Sequence, residues 1–176
     1  MKIETPRILI RNFIFEDAPD LFEILGDEET MKYSEPAYSF EKVEIFLKDF
    51  CIEKRGALAA IQKVSGKMIG YILFNETEPG IYEIGWFFNR NYWKQGYALE
   101  ACKAVIDYAF THGIARKIFA ETIDREKSVP LMKKLGMAPE CMHTDDITNN
   151  ITRDLHSTPC KHPPILYIGN IFPAHQ

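Results

Sequence analysis

The chain is 176 residues long, 46% hydrophobic and 26% charged, with a formal net charge of −4 and a pI near 5.8. That composition suits a globular domain with a full core, and its acidity excludes general nucleic-acid binding, which needs clustered cations. No apolar run approaches the roughly 20 residues that span a bilayer. The start, Met1–Pro6, lacks the basic-then-apolar layout of a secretion signal, and the four cysteines include no Cys-x-x-Cys pair. The expectation is one domain over residues 1–176, cytoplasmic, with reduced thiols and without membrane or nucleic-acid partners.

In chain order, Arg7-Ile8-Leu9-Ile10-Arg11 predicts a strand. Acidic residues and Pro19 then open a helix whose apolar side is Leu21, Phe22, Ile24 and Leu25, with Gly26 as its stop. Val43, Phe46 and Leu47 mark a second amphipathic helix around residues 40–48. Three strands follow, near residues 58–61, 68–74 and 81–88, separated by Ser65-Gly66 and Glu78-Pro79-Gly80, and they predict an antiparallel meander. A helix over 98–112 presents Ala101, Val105, Tyr108 and Ala109 on one face and stops at Gly113. A strand over 117–123 leads to a short helix over 128–135 with a Ser128 cap, an early Pro130 and Gly136 at its end. After Cys141 the patterning predicts only one more strand, over 165–168. Strands and helices mixed in this way give an α/β or α+β class.

The stretch Glu83-Ile84-Gly85-Trp86-Phe87-Phe88-Asn89-Arg90-Asn91-Tyr92-Trp93-Lys94-Gln95-Gly96-Tyr97-Ala98 carries the chemistry. A strand runs into a short turn that opens directly into the long helix. Helix starts offer unpartnered N–H groups and a positive dipole end, so Gly96 and Ala98 would let a pyrophosphate approach the backbone. Lys94, Gln95 and Arg90 are additional donors. The glycine alone equally fits a tight connection without a ligand. Neither a Walker loop nor a dinucleotide fingerprint is present.

The same stretch resembles the acetyl-CoA-binding motif of the GNAT superfamily, Gln/Arg-x-x-Gly-x-Gly/Ala, especially in the branch of bacterial ribosomal-protein N-terminal acetyltransferases. Glu83-Ile84-Gly85-Trp86, Tyr92-Trp93 and Gly96-Tyr97-Ala98-Leu99-Glu100-Ala101 match that branch, as do Glu4–Arg11 and Met132–Met137. The resemblance covers Glu4 to about Met137. It implies a GNAT-like fold: a mostly antiparallel mixed sheet flanked by helices, with acetyl-CoA wedged between two parallel central strands. Main-chain groups of Trp86, Phe87 and Phe88 would bind the pantetheine arm. Residues Lys94, Gln95, Gly96, Tyr97 and Ala98 would hold the pyrophosphate. Three departures stand out: Trp93 at the Gln/Arg position, Lys94 where a second glycine is usual, and no Asn in the loop after Ile123, where Arg125 falls nearest.

Acetyl transfer to an amine needs a base, which typically contributes about 10²–10⁴-fold, and an oxyanion donor. Glu83 is the base candidate, because a carboxylate among Tyr82, Ile84 and Trp86 is costly without a role or a partner. The structural alternative is a salt bridge to an arginine such as Arg11. The tyrosine that many GNAT enzymes use as acid falls at Met132, and the resemblance puts Ser128 in that role instead, with Tyr97 and Tyr92 as substitutes. An N–H near Trp86 or Phe87 would bind the oxyanion. Cys141, His143, His156, Cys160 and His162 are zinc-ligand types, but their spacing matches no common zinc pattern, so no metal is expected.

The expected activity is transfer of the acetyl group to a primary amine, a peptide N-terminus or a small molecule, by direct attack in a ternary complex. The alternative is a GNAT-fold protein that binds acyl-CoA without turnover, as a sensor. A homodimer is a further expectation, from the number of exposed-looking aromatic residues.

Overall fold

Turn chemistry and alternation build most of the molecule. The computed structural model describes residues 1–124, 126–140 and 165–170. The metal-ligand types and Arg125 considered above lie outside the described residues. Strands β1 (Lys2–Glu4) and β2 (Ile8–Arg11) form a hairpin that pairs Ile3 with Ile10. β1 carries no sequence signal, since Ile3 is its only apolar residue. Helix α1 (Ala18–Leu25) buries Ala18, Leu21, Ile24 and Leu25 and ends at Gly26. A short α2 (Glu28–Met31), unforeseen from the sequence, starts at Asp27, whose carboxylate accepts from the Thr30 N–H at 2.9 Å. Helix α3 (Phe40–Ile45) starts at Ser39 and continues through a π-helical stretch, Phe46–Glu53.

The predicted meander is β3 (Ala57–Gln62), β4 (Met68–Glu78) and β5 (Ile81–Phe88), each antiparallel to the next. Helix α4 (Tyr97–Thr111) crosses over to β6 (Lys117–Thr122), which is parallel to β5. Helix α5 (Ser128–Lys134), β7 (Ala138–Glu140) and β8 (Ile165–Asn170) follow. The eight strands form one sheet in the order β1-β2-β3-β4-β5-β6-β8-β7, and β5–β6 is its one parallel pair.

The sheet is covered on both faces. Ile8, Ile10, Leu58, Ala60, Ile72, Ile84 and Phe88 pack against Ala101, Cys102, Val105 and Ala109 of α4 and Met132 of α5. Ala57, Ala59 and Ile61 from alternate positions of β3, with Met68 and Tyr71 on either side of an irregularity in the β3–β4 pairing, meet α1 and α3. Each fully buried Leu or Ile contributes about 1.5–3 kcal/mol. The expected α4 face needs one correction. Cys102, not Tyr108, completes the buried stripe; Tyr108 is half-exposed and stacks on His112 with centroids 3.9 Å apart. Gly113 and Gly136 end their helices as expected, with Ile114 N–H returning to Ala109 O and Met137 N–H to Met132 O. Among the described residues no helix is long and apolar enough to cross a membrane.

Candidate active site

The site is built around an interrupted strand pairing. β5 and β6 pair at Ile81–Lys117, Tyr82–Ile118 and Glu83–Phe119, and there the pairing ends. β5 nevertheless runs on to Phe88, while Ala120–Thr122 of β6 pair only with β8 on the other side. A wedge therefore opens beyond Glu83.

Main-chain alternation decides what faces this wedge. Asn89 N–H bonds to Ile69 O at 2.9 Å, and Phe74 N–H bonds to Gly56 O at 2.9 Å. In a regular antiparallel ladder, these two bonds direct the main chain of Glu83, Gly85 and Phe87 toward β4. Ile84, Trp86 and Phe88 then address the side from which β6 has withdrawn. The Phe88 carbonyl is already engaged there by the Trp93 indole N–H at 2.6 Å. Of the three aromatic residues expected to bind through the main chain, Trp86 and Phe88 are aimed at the wedge. Phe87 is turned to β4, and its ring stacks on Tyr71 at 5.0 Å.

At the end of β5 the chain enters a 3-10 turn, Arg90–Tyr92, started by Asn89, whose side chain accepts from Asn91 N–H. Asn89 is buried and also donates to Glu23 of α1 at 3.0 Å, which anchors the turn. Lys94 (φ 60°) and Gly96 (φ 82°) are both left-handed. Lys94 therefore adopts the glycine-like backbone of the position it occupies, despite its Cβ. Among the described residues the first α4 N–H with a protein acceptor is that of Glu100, on Gly96 O, so those of Tyr97, Ala98 and Leu99 are left for a ligand or water. Two expected side-chain donors are spent elsewhere: Gln95 Nε2 donates to Asn91 O at 3.0 Å, and Arg90 lies 3.5 Å from Asp27. Tyr97 is buried and accepts from Gln62 of β3 at 2.8 Å, two strands away from the wedge.

Glu83 stands where the pairing ends, on the face covered by α1 and α3, beside Phe119 and Glu121 of β6. Burial raises its pKa, and the charge of Glu121 adds to the rise. The alternative salt bridge is corrected: Arg11 makes a two-pronged pair with Asp17 at 2.8 and 2.7 Å, and among the described residues no cation pairs with Glu83. A half-buried carboxylate whose pKa is raised above its ordinary value is a stronger proton acceptor than an exposed one and suits a general base. An open cleft of about 640 Å³ lies between α2 and Arg90, lined by Asp27, Glu28, Glu29 and Lys32.

A GNAT acetyltransferase domain model matches residues 7–138 of this chain. The chain belongs to the GNAT acetyltransferase family. It is 34% identical over 145 residues to a Bacillus subtilis protein named uncharacterized N-acetyltransferase YnaD, covering 80% of this chain and 84% of that one. A crystal structure of a GNAT-family acetyltransferase from Bacillus anthracis superposes with a TM-score of 0.77 at 27% identity, over 96% of both chains. A ribosomal-protein alpha-N-acetyltransferase, RimL, solved with coenzyme A, has the same fold (TM-score 0.77, 16% identity, 97% and 98% covered).

In this GNAT chain the loop after β6 is organised by a residue that sequence reasoning passed over. Asp124 is buried, and its carboxylate accepts from Glu126 N–H and Lys127 N–H, both at 3.0 Å. Ser128, expected as the helix cap, is instead the first residue of α5 and donates to Asp124 at 3.4 Å. The Asp-x-Glu-Lys spacing is a local signal for this turn. Met132, where the resemblance put the family's tyrosine acid, is buried in the core. Lys127 lies 4.3 Å from the Trp93 ring centroid and 3.3 Å from Glu29, linking the loop to the cradle turn and α2.

Proposed function

We propose that the chain transfers the acetyl group of acetyl-CoA to a primary amine by direct attack in a ternary complex. The observation that carries this reading is the conjunction of the β5–β6 wedge with a helix start where the N–H groups of Tyr97, Ala98 and Leu99 have no acceptor among the described residues. In this reading the pyrophosphate sits against the main chain of Lys94, Gln95, Gly96, Tyr97 and Ala98, and the pantetheine arm extends along Trp86 and Phe88. Hydrogen bonds to β5 would replace those that β6 no longer supplies.

The acceptor arrives as an ammonium, loses a proton to Glu83 through water, and attacks the thioester carbonyl. The C–N bond forms as the carbonyl becomes an oxyanion, stabilised by the Trp86 N–H, and the C–S bond then breaks. The departing thiolate takes the Ser128 hydroxyl proton as Ser128 accepts the second proton that the attacking nitrogen must shed, which leaves an amide, a thiol and a neutral serine; the 3.4 Å contact of Ser128 with Asp124 is long enough to yield. A peptide N-terminus or a small-molecule amine both suit the open cleft beside α2. RimL acts on a ribosomal protein N-terminus, which makes peptides the first acceptors to try. Two buried free thiols, Cys51 and Cys102, suit a reducing cytoplasm.

The test is free-thiol release from acetyl-CoA across a panel of amines and short peptides. Turnover that depends on one acceptor class and on Glu83 supports the reading. Tight acetyl-CoA binding with no turnover on any amine contradicts it in favour of a sensor.

A further inference from the structure

The cradle turn is held from outside by a residue 93 positions before the helix acid that it meets. Arg7 Nε donates to Glu100 Oε2 at 2.6 Å, its own N–H donates to Glu100 Oε1 at 3.0 Å, and its Nη1 donates to the Gln95 carbonyl at 2.9 Å. The guanidinium lies over the Tyr97 ring, 4.4 Å from the centroid. Thr5 completes the arrangement by donating to Glu100 Oε1 at 2.6 Å. Burial alone would push the Glu100 carboxyl up, but the hydrogen bonds from Thr5 and Arg7 outweigh it and hold the carboxyl below its ordinary value. Glu100 is therefore ionised and can anchor the arginine.

The Gln95 carbonyl is the informative contact. In a planar trans peptide the carbonyl and the following N–H point in opposite directions. Arg7 fixes the Gln95 oxygen toward itself, so the Gly96 N–H is directed away from Arg7. This happens between two left-handed residues, Lys94 and Gly96, where the peptide plane has an alternative orientation to fall into. An Arg fork suits the task because its planar donors reach a carboxylate and a carbonyl at once, which a lysine ammonium cannot reproduce in fixed geometry.

We infer that Arg7, anchored by Glu100, is a positioning residue for the acyl-donor site: it orients the Gln95–Gly96 peptide so that the cradle N–H groups converge on the pyrophosphate. This rests on the acetyl-CoA reading above. Acetyl-CoA is titrated calorimetrically into wild type, Arg7→Lys, Arg7→Met and Glu100→Ala, and the thermal midpoint of each is measured in the same buffer. Losing a hydrogen bond to a charged group predicts affinity weakened about tenfold or more in all three.

Glu100→Ala supplies the discriminating sign. It removes a negative charge from the first turn of α4, so simple electrostatics, or direct contact of a freed Arg7 with phosphate, would tighten binding of a polyanion. Positioning requires it to weaken. Folded Arg7→Lys and Glu100→Ala that bind within twofold of wild type, or tighter binding by Glu100→Ala, overturn the assignment while leaving the acetyl-CoA site intact. A folded wild type that fails to bind acetyl-CoA overturns the reading beneath it as well.

Discussion

At the scale of single residues, Glu83 carries the sharpest consequences. Its pKa is raised by burial and by Glu121, so the acid limb of a kcat/KM–pH profile should lie above the ordinary carboxylate range. Glu121→Gln should move that limb to lower pH, and Glu83→Gln should abolish it while lowering kcat/KM by about 10²–10⁴-fold. The same shift has a stability cost of defined sign. A carboxyl whose pKa is raised on folding costs stability as pH rises through its ordinary value toward the folded one. Glu83→Gln should therefore raise the thermal midpoint at neutral pH and leave it unchanged in acid. An unchanged neutral midpoint would mean that the native carboxylate has a compensating partner.

Individual elements show what the sequence could and could not convey. The β5–turn–α4 unit was legible because alternation, a turn rich in polar residues and a helical stripe succeed one another without a gap. The wedge was not legible from residue pattern, because the separation of β6 from β5 beyond Glu83 is a property of pairing, and resemblance alone pointed to it. Ser128 misled for a local reason: the helix already includes it, and its hydroxyl donates to the carboxylate of Asp124, four residues earlier, instead of accepting from a helix N–H. Asp124→Ala should destabilise the loop and α5 by about 1 kcal/mol, as loss of a cap does, measured by denaturant unfolding. The position of Phe88 depends equally on Gly70, since a Cβ there would fall 2.4 Å from the Phe88 ring. Gly70→Ala should cost about 1–3 kcal/mol by overpacking and weaken acetyl-CoA binding with it. A Gly70→Ala protein as stable as wild type would show that the Phe88 ring has room to move. Glu100 adds a pH dependence of the opposite sign to that of Glu83: its depressed pKa contributes stability that is lost as acidification carries it through its folded value.

For the whole molecule, the sheet order and the two cores explain why the wedge sits where it does. A meander delivers β5 to the middle of the sheet, α4 crosses over and returns β6 parallel to it, and the wedge forms between that one parallel pair. The long-range contacts that complete the site, Arg7 with Glu100 and Asn89 with Glu23, join segments 93 and 66 residues apart and leave no trace in local pattern. The central claim is that this wedge and helix start bind an acyl-CoA through the backbone. Calorimetric titration of wild type and Gly96→Glu with acetyl-CoA, with CoA and ATP as controls, tests it most directly. Wild type should bind acetyl-CoA and CoA more tightly than ATP, and the folded Gly96→Glu protein, with a carboxylate set into a left-handed position of the cradle, should lose that binding. No binding by folded wild type, or equal binding by Gly96→Glu, would contradict it.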